Sequence, residues 1–181
     1  PDVKGDLKTK AIKLRKNYEF AMEAVKNPVN FNPYNMGNEI NSDFPEYFPS
    51  LSVDGKTMVM TRRIDDVISL GPGDNRKIEQ EDFYISFLEN GAWTPAQNMG
   101  APINTKMNQG AQSISADGRF LFYTSCEDLE NGYGSCDLYY SLKIGNIWSN
   151  PENCGTIINT ADWESQPSVT ADGRELFFSS G

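Results

Sequence analysis

Apolar residues follow two different rhythms along this chain. From Leu7 to Val25 they step by four and three (Leu7, Ala11, Leu14, Tyr18, Ala21, Val25), a single seam along a helix. Asn27-Pro28 ends it, because the residue before a proline disfavours the helical region. Residues 1–28 are expected as a helical segment, either the end of an upstream helical repeat array or a brace on the following domain. Beyond residue 42 the apolar positions come in short runs split by Gly, Asp and Asn, the mark of strands and tight turns. In the stretch 106–160, Gln112 to Ser115 reads as a first strand, Asp117-Gly118 as a turn, and Phe120 to Ser125 as a second strand. Asp128 to Gly134 reads as a polar loop, Asp137 to Leu142 as a third strand, Gly145-Asn146 as a turn, and Ile147 onward as a short fourth strand.

This unit is repeated. Trp93 recurs as Trp148, Ile103-Asn104-Thr105 as Ile158-Asn159-Thr160, and Asp117-Gly118 as Asp172-Gly173, always 55 residues apart, while Asp54-Gly55 lies 63 residues before Asp117-Gly118. A period of that length holding four short strands predicts β-propeller blades. The three Asp-Gly pairs are read as turns, and Trp93 and Trp148 as blade-packing aromatics. The expected fold is all-β, an incomplete propeller of about two and a half blades preceded by one helix. The expected boundaries are a linker with an orphan outer strand at 29–42, blade 1 at 43–105, blade 2 at 106–160 and the start of blade 3 at 161–181. The orphan strand rests on phase: Asn35-Met36-Gly37 with Ile40-Asn41-Ser42 matches Asn98-Met99-Gly100 with Ile103-Asn104-Thr105, so the chain enters through a fourth-strand segment. Because propellers close with about four to eight blades, the ring is expected to be cut open at Gly181 in a fragment of a longer chain. Blade 1 is eight residues longer than blade 2, and Ile64 to Gln80 is expected as an extended hairpin loop, flexible at Gly71-Pro72-Gly73.

Composition narrows the chemistry. The chain of 181 residues carries a net charge of −9, of which residues 1–28 contribute +3 and the remainder −12. An acidic β-domain lacks the basic footprint of a nucleic-acid binder, and no run reaches the ~18 apolar residues of a membrane span. The sequence contains no histidine, which removes Ser-His-Asp and Cys-His catalysis and His-based zinc sites from these residues. No catalytic, cofactor-binding or metal-binding residue is expected. Cys126 and Cys136 flank the second-to-third-strand loop of blade 2, a spacing that suits a disulfide and an oxidising compartment, with two buried thiols as the alternative. Arg63 and Glu81 fall at the equivalent positions of blade 1 and are expected to form an ion pair there. Cys154 stands where Met36 and Met99 stand and reads as apolar filler. Glu46, Gln109 and Glu164, just ahead of each first strand, are candidates for a partner-binding rim, against the plainer reading that they satisfy loop backbone groups.

Pro49-Ser-Leu-Ser-Val-Asp-Gly55, Ser113-Ile-Ser-Ala-Asp-Gly118 and Pro167-Ser-Val-Thr-Ala-Asp-Gly173 resemble the WD40-like PD40 repeat of TolB-type propellers. Glu81-Asp-Phe-Tyr-Ile-Ser86, Gly134-Ser-Cys-Asp-Leu-Tyr139 and Trp163-Glu-Ser-Gln-Pro167 are similar to the OmpA-family envelope proteins of Bacteroidota, as is the helix ending Phe20-Ala-Met-Glu-Ala24. The resemblance implies a tetratricopeptide array before the propeller and a peptidoglycan-binding domain after it. It implies a periplasmic, outer-membrane-associated, non-enzymatic scaffold, with relatives in type IX secretion and gliding. Its partners would be other envelope proteins, and peptidoglycan would be reached only through a domain outside these residues. Two alternatives stand beside it: a gating propeller of a serine peptidase, and a glycan-binding propeller using Tyr133, Trp93 and Trp148.

Overall fold

The computed structural model describes the backbone of residues 3–71, 74–126 and 131–181, and the side chains of residues 6–65, 79–126 and 131–181. Two compact units divide between Asn35 and Met36. The first contains α1 (Val3–Lys26), as its apolar seam predicts. Asp6–Lys10 and Arg15–Glu19 ion pairs at i,i+4 spacing (2.8 and 3.1 Å) support it. Asn27 closes its end, donating its backbone N–H to Glu23 O (3.1 Å) and its amide to Glu23 Oε1 (2.7 Å).

In the second unit, β1 (Glu46–Leu51), β2 (Thr57–Gly71) and β3 (Asp74–Glu89) form an antiparallel meander, and β4 (Ala92–Trp93) and β5 (Gln97–Asn98) both pair with β3. The same order returns in β6 (Gln109–Ile114), β7 (Phe120–Cys126), β8 (Cys136–Ile144), β9 (Ile147–Trp148) and β10 (Glu152–Asn153). β11 (Glu164–Val169) and β12 (Leu176–Ser180) repeat its first two strands. Two sheets of one strand order with a third begun are propeller blades, as the repeat predicts. The fourth strand is split in both complete blades. Pro95 and Pro151 lack the N–H that a continuous ladder needs, and the hydroxyls of Thr94 and Ser149 take the N–H of Phe87 and Leu142 instead (3.0 Å each).

One expectation changes. Ile64 to Gln80 is no open loop: the β2–β3 ladder runs on from Ile64↔Gln80 through Ser69↔Asn75 to Gly71↔Asp74. No Gly, Pro or Asn interrupts the sequence from Arg63 to Leu70, so nothing in it ends the strand. Pro72 and Gly73, the expected flexible tip, lie outside the described residues, as do residues 127–130 of the blade 2 loop. The expected orphan strand within 29–42 has no pairing partner among the described residues, as a strand that completes a last blade would not. Its counterparts β5 and β10 pair with β3 and β8, which precede them, whereas residues 28–37 precede every strand described. The turn of this segment is kept: Gly37 O accepts Asn41 N–H at 2.8 Å, as Gly100 O accepts Asn104 N–H and Gly155 O accepts Asn159 N–H.

The main core lies between blades. Val59 and Phe83 of blade 1 pack with Ile103, Ile114, Leu121, Tyr123 and Tyr139, and Phe83 meets Tyr123 edge-on at 5.2 Å. Each such side chain contributes roughly 1.5–3 kcal/mol when fully buried. A smaller cluster of Ile40, Met58 and Met60 backs blade 1. Trp148 packs on the first cluster and Trp93 on the second.

Candidate interaction surface

Glu46, Gln109 and Glu164, expected as a rim just ahead of the first strands, are the first residues of β1, β6 and β11, and their side chains turn inward. Gln109 and Glu164 are 1% and 0% exposed, and the Glu46 side chain is 13% exposed. Each turns back on the residue four positions earlier. Glu46 Oε1 accepts Ser42 N–H (3.0 Å) and its hydroxyl (2.5 Å), and Gln109 Oε1 accepts Thr105 N–H (3.1 Å). Glu164 accepts both Thr160 N–H (2.8 Å) and Thr160 Oγ1–H (2.7 Å). Each also faces the second strand of its own blade, where Glu46 pairs with Arg62 at 2.7 Å and Glu164 accepts the Ser180 hydroxyl at 2.9 Å. They are loop clamps, because a buried acceptor must find donors and the entry loop supplies them. Burial pushes the Glu164 carboxyl up, but the hydrogen bonds from Thr160 and Ser180 outweigh it and hold the group below the usual range.

Two residues after each clamp the backbone turns left-handed, at Phe48 (φ 50°), Ala111 (φ 51°) and Gln166 (φ 57°), within the register shifts of β1, β6 and β11. A non-glycine residue rarely adopts this region, and three copies at one position mark a designed bulge. The residue types differ, so no sequence signal announces it.

At the clamp end of the sheets, Cys126 and Cys136 are disulfide-bonded across β7 and β8, with Cα atoms 4.0 Å apart. Beside the disulfide, Ser135 N–H donates to Asp162 O of the next blade (2.8 Å) and Cys136 bridges to Trp163. Arg63 and Glu81 face each other in the same register, but the expected ion pair is displaced. Glu81 receives the Tyr47 hydroxyl, and Arg63 reaches diagonally to Glu79 (3.4 Å), a neighbour within range of long side chains. Burial, and then the Glu81 carboxylate, push the Tyr47 phenol up. At the opposite end, Asp54, Asp117 and Asp172 each accept the hydroxyl two residues earlier (2.7, 2.6 and 2.6 Å) and the N–H two residues later. These bonds hold all three carboxyls below their usual range, and Gly55, Gly118 and Gly173 follow at φ 65–70°.

Beside the second clamp lies a cleft of about 630 Å³ whose walls include Gln109, Tyr123, Ser125, Tyr133, Tyr139 and Glu152. Buried Asp137 shapes it, accepting the N–H groups of Tyr133 (2.6 Å) and Gly134 (3.0 Å) and the Asn153 amide (2.8 Å). Tyr133 stays half exposed. Sequence reasoning singled out Tyr133 and Gln109 but not Ser125, Tyr139 or Glu152. Cys154 is half buried, and burial, then the Asp137 charge, raise its thiol to about 11. No helix of the described residues is long and apolar enough to cross a membrane.

Comparison with protein-family models and with curated proteins finds no match. Among solved structures, the crystal structure of TolB from Acinetobacter baumannii is similar over 77% of this chain and 39% of that chain, at 12% identity and a TM-score of 0.36. The propeller assignment rests on the strand order of the blades themselves.

Proposed function

We propose that residues 36–181 form a non-enzymatic protein-interaction platform whose working surface is the sheet end bearing the β2–β3 ribbon. The ribbon carries this reading. The last pair of β1 is Glu46↔Arg62, and β5 reaches only Tyr84 and Ile85, so from Ile64 and Gln80 outward both ribbon edges lack a β-partner among the described residues. Unpaired edges recruit strands or loops of a partner chain. Replacing residues 65–79 by an Asn-Gly turn is expected to leave the melting curve unchanged while partner crosslinks are lost. Undiminished crosslinking by the shortened protein overturns the reading.

The location we propose is the periplasm, in an outer-membrane-associated, cell-wall-linked assembly of the type IX secretion or gliding kind, with peptidoglycan held by another domain. The motif resemblance supports this, and so does the disulfide, a bond that persists in oxidising compartments. Fractionation with thiol labelling tests it. Cys126 and Cys136 should resist labelling in a periplasmic fraction, and recovery in the cytosol with both thiols reactive overturns it.

A further inference from the structure

The apolar seam of α1 is uncovered. Leu7, Leu14, Tyr18 and Val25 are between 61% and 80% exposed, and Ala11 and Ala21 among them are exposed too. Their steps of four and three average about 3.5 residues, the narrow stripe of a coiled-coil seam rather than the broad face of a helix packed on a globular core. The positions that flank such a seam hold Lys8, Lys10, Arg15, Asn17, Met22 and Ala24. Every charge on the flanks is therefore basic. Asp6, Glu19 and Glu23 stand on outer positions and pair with Lys10, Arg15 and Lys26. Those pairs are solvent-exposed and weak, so the cations stay available to a partner. Lys8 makes no ion pair among the described residues. Ile12 and Phe20 lie on the outer side with Lys16 between them and make no second seam.

We propose that α1 is a docking helix that forms a two-helix seam with a helix of a partner protein whose flanking positions are acidic. This goes beyond the platform reading, which concerns residues 36–181 alone. α1 is the only helix among the described residues, so the second helix comes from outside them. Charge selects it. Two copies of α1 repel in either direction: parallel copies set Lys10 beside Arg15, and antiparallel copies set each basic flank against itself. Acidic residues at the partner's flanks turn each of these repulsions into a bridge. The alanines add a size rule. Ala11 and Ala21 leave holes in the seam that leucines of the partner fill. An anionic lipid surface is a poorer match, because so narrow a stripe with two alanines buries little apolar area. The −12 charge of residues 29–181 is also repelled by the headgroups that would attract the helix.

The test is an NMR titration of the full chain with synthetic peptides of about three heptads and a leucine seam. One peptide carries glutamate on its flanks, a second carries lysine there, and a third keeps the glutamates with its seam scrambled. The glutamate peptide is expected to shift the amides of Leu7, Leu14, Tyr18 and Val25 saturably, with the other two at least about tenfold weaker. Replacing Lys8, Lys10 and Arg15 together by glutamine is expected to erase the preference for glutamate over lysine while circular dichroism shows the helix retained. A titration of the unaltered chain in about 1 M salt covers the case in which that variant loses its helix, and there the preference should shrink several-fold. Equal binding of the glutamate and lysine peptides, or no saturable shift with the glutamate peptide, overturns the proposal. So does self-association of the chain through α1 in sedimentation, or a preference of α1 for anionic phospholipid vesicles over the glutamate peptide. Deleting the ribbon leaves α1 intact, so this interface and the platform are tested separately.

Discussion

Asn104 and Asn159 show how single side chains can complete a sheet that the backbone leaves unfinished. The amide of Asn104 accepts Phe83 N–H (2.8 Å) and donates to Phe83 O (2.9 Å), and Asn159 does the same with Leu138. Each closes a buried backbone pair at the strand edge and also donates to a second asparagine, Asn98 or Asn153. Removing one orphans a buried N–H, since the carbonyl keeps a bond from Met99 or Cys154 N–H (3.0 Å each), so Asn159→Ala is expected to cost about 1–3 kcal/mol in urea unfolding. A loss below about 1 kcal/mol would show that water replaces the amide. The Asp-Gly turns predict a pH response. Asp54, Asp117 and Asp172 are held below the usual carboxylate range by hydrogen bonds from Ser52, Ser115 and Thr170 and then from the backbone. A folded value below the unfolded one gives stability that is present above the ordinary range and lost as pH falls through the folded value. The urea midpoint should therefore drop as pH falls below about 4, and the triple Asp→Asn variant should show a flatter acid limb. Superimposable limbs would refute this. The repeated Asp-Gly and Ile-Asn-Thr signatures were legible as a pattern. What each asparagine bonds was not, because its partner lies 21 residues earlier on another strand.

At the scale of elements, the two complete blades differ mainly in how their central hairpins end. Blade 2 is clipped by Cys126–Cys136 at the register where blade 1 continues past Arg63↔Glu81 into its ribbon. Replacing both cysteines by serine is expected to lower unfolding stability by roughly 2–3 kcal/mol, read from denaturant midpoints. An unchanged midpoint would show that the bonds of Ser135 to Asp162 hold this edge by themselves. The disulfide spacing was readable because two cysteines of equal distance from a turn face each other in a hairpin. The ribbon is not legible in the sequence, because length alone does not tell a strand from a coil. The split fourth strand was hidden for a related reason. A proline breaks the ladder, and only the structure shows a Thr or Ser hydroxyl bridging the gap.

At the scale of the molecule, the largest apolar cluster joins blade 1 to blade 2 and belongs to neither alone. Residues 36–181 are therefore expected to unfold in one transition. Variants that keep only Trp93 or only Trp148 should report coincident urea curves, whereas separated midpoints would show blades folding independently. Phe83→Ala, at the centre of that interface, is expected to cost about 3–5 kcal/mol. The sequence by itself determined the repeat, the all-β class, the helix and its end, and the turns, because these rest on local periodicity and on residues that tolerate turn geometry. It also places no histidine among these 181 residues. Only the tertiary structure decided that Glu46, Gln109 and Glu164 are consumed by their own loops, and that Arg63 pairs with Glu79. Those outcomes depend on which side chain reaches a shared point in space first, and a one-dimensional pattern does not contain that competition.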